Sequence, residues 1–177
     1  MVDEELNKRH LIELGFIKEY LEEIDFKTTI LEKSEKNIPF STLVSVIGKD
    51  YKNLERIVNL NFIPTYKELT ENILVLQILS VVFCEFKVEN KRSVEKILNT
   101  INSQLIVGTY SLNEKNQIIF RYIYIVPISG KISKNEFIDT LMLFSYMQEL
   151  YNDIIESVAI GDKKLYEALE DLKFENK

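Results

Sequence analysis

The side chains that most often carry chemistry are scarce here: one histidine, His10, and one cysteine, Cys84. A nucleophilic thiol needs an imidazole to take its proton. His10 lies on the apolar row of an N-terminal helical pattern, and Cys84 lies inside an apolar run. They read as a packed or rim imidazole and an inert buried thiol. One histidine and one cysteine give no zinc spacing. Carboxylates are plentiful, but pairs such as Glu22 and Glu23 fall on a solvated helix face. "VIGKD" (46–50) lacks the preceding glycines of a phosphate loop. "FRYIY" (120–124) is the one place where a base interleaves with aromatics, and a single Arg is too little for nucleic acid. The expectation is a non-enzymatic protein with no metal and no cofactor.

The bulk composition agrees. The 177 residues are 46% hydrophobic and 28% charged, ordinary for a globular chain, with a net charge of −6 and a pI near 5.0. Duplex nucleic acid and anionic membrane both recruit clustered Lys and Arg, so neither is expected as a partner. A lone cysteine makes no internal disulfide. The start, "MVDEELNKRH", has no apolar segment of the secretory kind. The longest apolar run, "ILVLQILSVVFC" (73–84), is broken by Gln77 and Ser80, and a bilayer span needs about 20 residues. A cytoplasmic protein is expected.

The elements that would position these residues follow from periodicity. Leu6, His10, Leu14, Ile17, Leu21 and Ile24 recur at three- and four-residue steps, which predicts a helix over 3–24. "FKTTILEK" (26–33) is a candidate strand, "SEKNIP" a loop, and "FSTLVSVIG" (40–48) a second strand. After a "KDYKN" turn, "LERIVNLNFIP" (54–64) alternates Val58, Leu60 and Phe62 with Asn59 and Asn61, the pattern of a strand. Residues 65–71 read as a polar linker. The run 73–83 suits a central strand buried on both faces. "NKRSVEKILNTINSQ" is a helix with Asn90 as N-cap and Val94, Ile97, Leu98 and Ile101 as its apolar stripe. A long helix runs from Ser133, with Glu136 at capping-box spacing, to Gly161 as C-cap. "DKKLYEALEDLK" is a last short helix.

Between the helices, "LIVGTYSLNEKNQIIFRYIYIVP" (105–127) reads as a hairpin. With a four-residue turn, Asn113–Asn116, Leu112 pairs with Gln117. One face then carries Leu105, Val107 and Thr109 against Tyr124, Tyr122 and Phe120. The other carries Ile106, Gly108 and Tyr110 against Ile123, Arg121 and Ile119. Neither face is polar. The long helix covers one, and something else must meet the second: an oligomer partner, a protein ligand, the C-terminal helix or the 26–39 segment. The candidate binding surface is Val107, Phe120, Tyr122 and Tyr124.

Four stretches taken together, "IPFSTLVSVIGKDYKNLERIVNLNFIP", "LQILSVVFCEF", "ILNTINSQLIVGTYSLNEKNQIIFRY" and "ISKNEFIDTLMLF", resemble the YbjN-like bacterial proteins, which share the fold of the type III secretion chaperones. The resemblance covers roughly residues 5–160. It implies an α+β fold with an antiparallel sheet of about five strands and helices packed on it, in the order α-β-β-β-α-β-β-α plus a short C-terminal helix. Residues 1–160 would form a single domain, with 161–177 as its helical extension. The secretion chaperones are homodimers that bind unfolded segments of partners, and the YbjN-like proteins are regulatory. No family catalytic residue carries over. The expected function is a non-enzymatic, chaperone-like or regulatory protein-binding module that associates, through apolar sheet or helix surface, with a protein partner or with itself as a homodimer. The alternatives are an immunity protein or antitoxin, and a small-molecule sensor or enzyme. The first is suggested by the eight acidic residues between Asp3 and Asp25.

Overall fold

The apolar row of the N-terminal pattern builds the first layer. In the computed structural model, which describes residues 2–33, 38–50, 52–64 and 72–174, helix α1 spans Val2–Glu22. Its Leu14, Ile17 and Leu21 are fully buried, while Ile12 and Phe16 on its far side are exposed. The expected linker 65–71 and most of the loop 34–39 lie outside the described residues.

Six strands follow: β1 (Lys27–Leu31), β2 (Thr42–Lys49), β3 (Glu55–Phe62), β4 (Ile73–Val82), β5 (Thr109–Leu112) and β6 (Ile118–Pro127). The sheet order is β1-β2-β3-β4-β6-β5, with antiparallel pairing along β1 to β4 and between β5 and β6. The helices are α2 (Lys91–Asn102), α3 (Lys134–Ile160) and α4 (Leu165–Phe174). This is the expected α+β class. The candidate segment 26–33 supplies the edge strand that brings the count to six. Among the described residues, no helix is long and apolar enough to cross a membrane.

The chain forms two compact units, each made from two stretches: residues 1–80 with 122–142, and residues 81–121 with 143–177. In the first, α1 packs on one face of the sheet. Register places Ile30, Leu43, Leu60 and Ile78 in one row across the four strands. Leu43, Leu60 and Ile78 are fully buried, so this row is the centre of the core. An extra residue enters β2 between Val46 and Lys49, a β-bulge where Gly48 takes φ +116°.

In the second unit, Val94, Ile97, Leu98 and Ile101 form the buried stripe of α2, as its spacing predicts. Asn90 does not cap this helix. A 3-10 turn over Val88–Asn90 leads into α2, so the Asn90 backbone is already helical, at φ −87° and ψ −1°. Its side chain instead donates to the Ala159 carbonyl, 3.2 Å away, at the end of α3. Gly161 ends α3 as its residue type predicts: it takes φ +85°, and the Asp162 N–H reaches back to the Ser157 carbonyl at 2.8 Å.

The hairpin turn takes five residues rather than four, and this corrects the expected pairing. Leu112 faces Ile118, Tyr110 faces Phe120, and Thr109 faces Arg121. Asn113 organises the turn: its Oδ1 accepts from the Lys115 and Gln117 N–H groups at 3.0 and 2.8 Å, and Asn116 adopts φ +57°. An Asx-type turn of this kind adds a residue that alternation cannot register. The ladder is also shorter than expected. The Leu105 N–H still bonds to the Ile101 carbonyl of α2, and β5 begins only at Thr109.

Candidate functional site

Of the four residues expected to form a binding surface, Phe120 is core. It is fully buried and sits between two other rings, Tyr110 at a 4.4 Å centroid distance and Phe144 of α3 at 4.5 Å. The one-residue change in register puts Tyr110 beside it, and the stack leaves Phe120 no free surface. Val107, in the same unit, is half-buried and precedes β5. Tyr122 and Tyr124 belong to the other unit and are also half-buried. Tyr124 meets the Phe137 ring of α3 edge-on at 6.0 Å, so it lies on the helix-covered side of β6. Desolvation, then the Glu136 charge, pushes its phenol pKa up.

Sheet register defines the opposite side of the first unit. Thr29, Val44, Asn59 and Leu79 make one row across β1 to β4, and Lys27, Val46 and Ile57 another. Every member of these rows keeps exposure, unlike the row behind it. On β6, the positions opposite Tyr124 carry Ile123 and Ile125, and Ile125 is 59% exposed. The sheet therefore presents β-branched side chains to solvent on the face away from α1.

A second feature lies at the α1 face. A cleft of about 220 Å³ is lined by Leu6, Asn7 and His10 of α1, by Phe62 and Pro64 at the end of β3, and by Lys33, Phe40 and Ser41. Helical spacing brings Leu6, Asn7 and His10 to one side of α1. The His10 ring stacks on Phe62 at 4.9 Å with 20° between planes, which fixes its orientation. Burial, then the adjacent Arg9 charge, lowers its pKa to about 4. At neutral pH it is an uncharged imidazole with one donor and one acceptor. The Ser41 hydroxyl accepts from the Lys33 N–H at 3.1 Å and donates to Asn7 Oδ1 at 3.2 Å.

Sequence alone places His10 correctly at the rim of the apolar row, but nothing in it indicates that Ser41 and Phe62 meet there. Those residues converge through sheet register and through the segment that enters β2. Cys84 is half-buried just beyond β4. Among the described residues, no three His, Cys, Asp or Glu side chains gather as metal ligands would. No protein-family model matches this chain, and no curated protein is similar to it.

Proposed function

We propose that this chain is a non-enzymatic, cytoplasmic protein-binding module, regulatory or chaperone-like, which associates through the outer face of its sheet with a second copy of itself or with another protein. The observation that carries the reading is the pair of rows containing Val44, Val46, Ile57 and Leu79, apolar and incompletely covered on the face away from α1. Removing such surface from water is worth about 25 cal/mol per Å² before the costs of ordering. The resemblance to the YbjN-like proteins and the secretion chaperones points the same way, toward a homodimer or a partner-bound protein. The outer face replaces the tyrosine face as the surface of choice, because Phe120 is enclosed and Tyr124 packs on α3.

The test is solution mass by light scattering over a range of concentrations, with capture of partners from a bacterial extract, for the wild type and for Val44→Lys and Leu79→Lys. Both positions are half-exposed, so the lysine ammonium can reach water and the fold is expected to survive. Circular dichroism checks that it does. Loss of dimer or of a captured partner in folded variants is the expected result. Association that is identical in wild type and variants, or no association of the wild type at all, overturns the reading.

A further inference from the structure

The cleft at α1 combines apolar walls with polar groups that are unpaired among the described residues. Ser41 is 4% exposed and satisfied on both sides, so it is scaffold. Its bond to Asn7 Oδ1 fixes which way the amide faces and leaves the Asn7 NH2 as a donor. No hydrogen bond to that NH2 or to either ring nitrogen of His10 is made among the described residues, although the imidazole is half-buried. The Lys33 ammonium forms no ion pair among the described residues. Partly enclosed polar groups are ordinarily hydrogen-bonded, and a concave site with a few convergent polar groups is what small-molecule binding sites share.

The donors decide the chemistry. Asn7 offers N–H, Lys33 offers N–H and a positive charge, His10 offers one N–H, and Arg9 adds positive potential nearby. Among the described residues, no carboxylate lines the cleft. The walls of Phe40, Phe62 and Pro64 are flat and apolar. A cavity of about 150 Å³ holds a benzene ring. The cleft, at about 220 Å³, has room for a ring with one small polar substituent. We propose that it binds a small planar carboxylate, with the ring between Phe40 and Pro64 and the anionic head on Asn7, His10 and Lys33. This site lies on the opposite side of the sheet from the association face and is independent of it.

His10 is the only histidine, so its imidazole gives a single, unambiguous NMR signal. Benzoate is the probe, titrated at pH 7 into the full chain, with benzamide as its uncharged counterpart. A saturable shift of the His10 resonances is expected, weaker for benzamide. Lys33 is exposed, so Lys33→Ala is expected to keep the fold, and its loss of a solvent-screened charge pair weakens benzoate about fivefold. Asn7→Ala should weaken both ligands. If the His10 signals do not move in a saturable way, the site is wrong. If benzoate and benzamide bind equally and Lys33→Ala changes neither, the carboxylate assignment is wrong.

Discussion

At the scale of single residues, Gly108 and His10 carry the sharpest consequences. Gly108 takes φ +80°, and a Cβ built on it would lie 2.5 Å from Phe120 Cζ. Its lack of a side chain therefore serves two needs, a left-handed backbone and the approach of an aromatic ring. Gly108→Ala must strain the backbone and push Phe120 out of its stack, so a loss of about 2–4 kcal/mol is expected in urea unfolding. His10 acts through pH. Its pKa is lowered from 6.5 to about 4, so between those values the unfolded chain holds a proton that the native chain does not. Stability therefore falls as pH drops from about 6.5 toward about 4. The ring is partly exposed and solvent screens it, so the effect is on the order of 1 kcal/mol. The neighbouring Arg9 charge on the same helix is positive and also opposes protonation. His10→Gln should flatten this part of the stability profile. An equal acid sensitivity in both proteins would show that other groups are responsible.

At the scale of elements, the short edge strand β5 depends on a residue outside the sheet. Asn102, the last residue of α2, donates from Nδ2 to the Tyr110 carbonyl at 2.9 Å and accepts the Tyr110 N–H on Oδ1 at 2.8 Å. The amide thus stands where a neighbouring strand would, and closes the free edge at its middle. Tyr110 then reaches inward, and its hydroxyl donates to Asn152 Oδ1 of α3 at 3.1 Å. Burial pushes that phenol pKa well up, so it stays protonated and remains a donor. Asn102→Ala removes both bonds and should cost about 2 kcal/mol, with faster exchange of the Tyr110 amide hydrogen. Asn102→Asp keeps the acceptor and loses the donor, so it should fall between. Tyr110→Phe removes only the hydroxyl bond and should cost about 1 kcal/mol. Much of this scale is legible in sequence. The spacing of Leu14, Ile17 and Leu21, the alternation of Val58, Leu60 and Phe62, and the run at 73–82 each identify their element, because burial imposes one period on each. The hairpin pairing is not legible, because an Asn side chain rather than hydrophobic pattern sets the turn length. Neither is the role of Asn90: its type suits a cap, but the 3-10 turn before it takes away the backbone geometry that a cap needs. The cleft is the least legible feature, since Asn7, Ser41 and Phe62 become neighbours only after the sheet has formed.

At the scale of the whole molecule, the question is which force drives association. The acidic first helix invites a basic partner, but its exposed carboxylates are partly engaged. Glu22 pairs with Lys18 at 2.8 Å and also accepts from Thr28, and Glu23 pairs with Lys134. Neutralised pairs add little to the field that would draw in a cation. Among the described residues the sheet face keeps exposure, and Val44, Val46, Ile57 and Leu79 gain by leaving water. The two forces respond oppositely to salt. Charge-driven association weakens as ionic strength rises, because exposed charges are screened beyond about 10 Å at 0.1 M. Apolar association is nearly indifferent to sodium chloride and is strengthened by sulfate, which is excluded from protein surface. The expected outcome is therefore a complex, with itself or with a captured protein, whose dissociation constant barely moves with sodium chloride and tightens in ammonium sulfate. Sedimentation measured in both salts checks it. A complex that dissolves in sodium chloride would transfer the binding role from the sheet to the acidic helix, and Val44→Lys would then leave it intact.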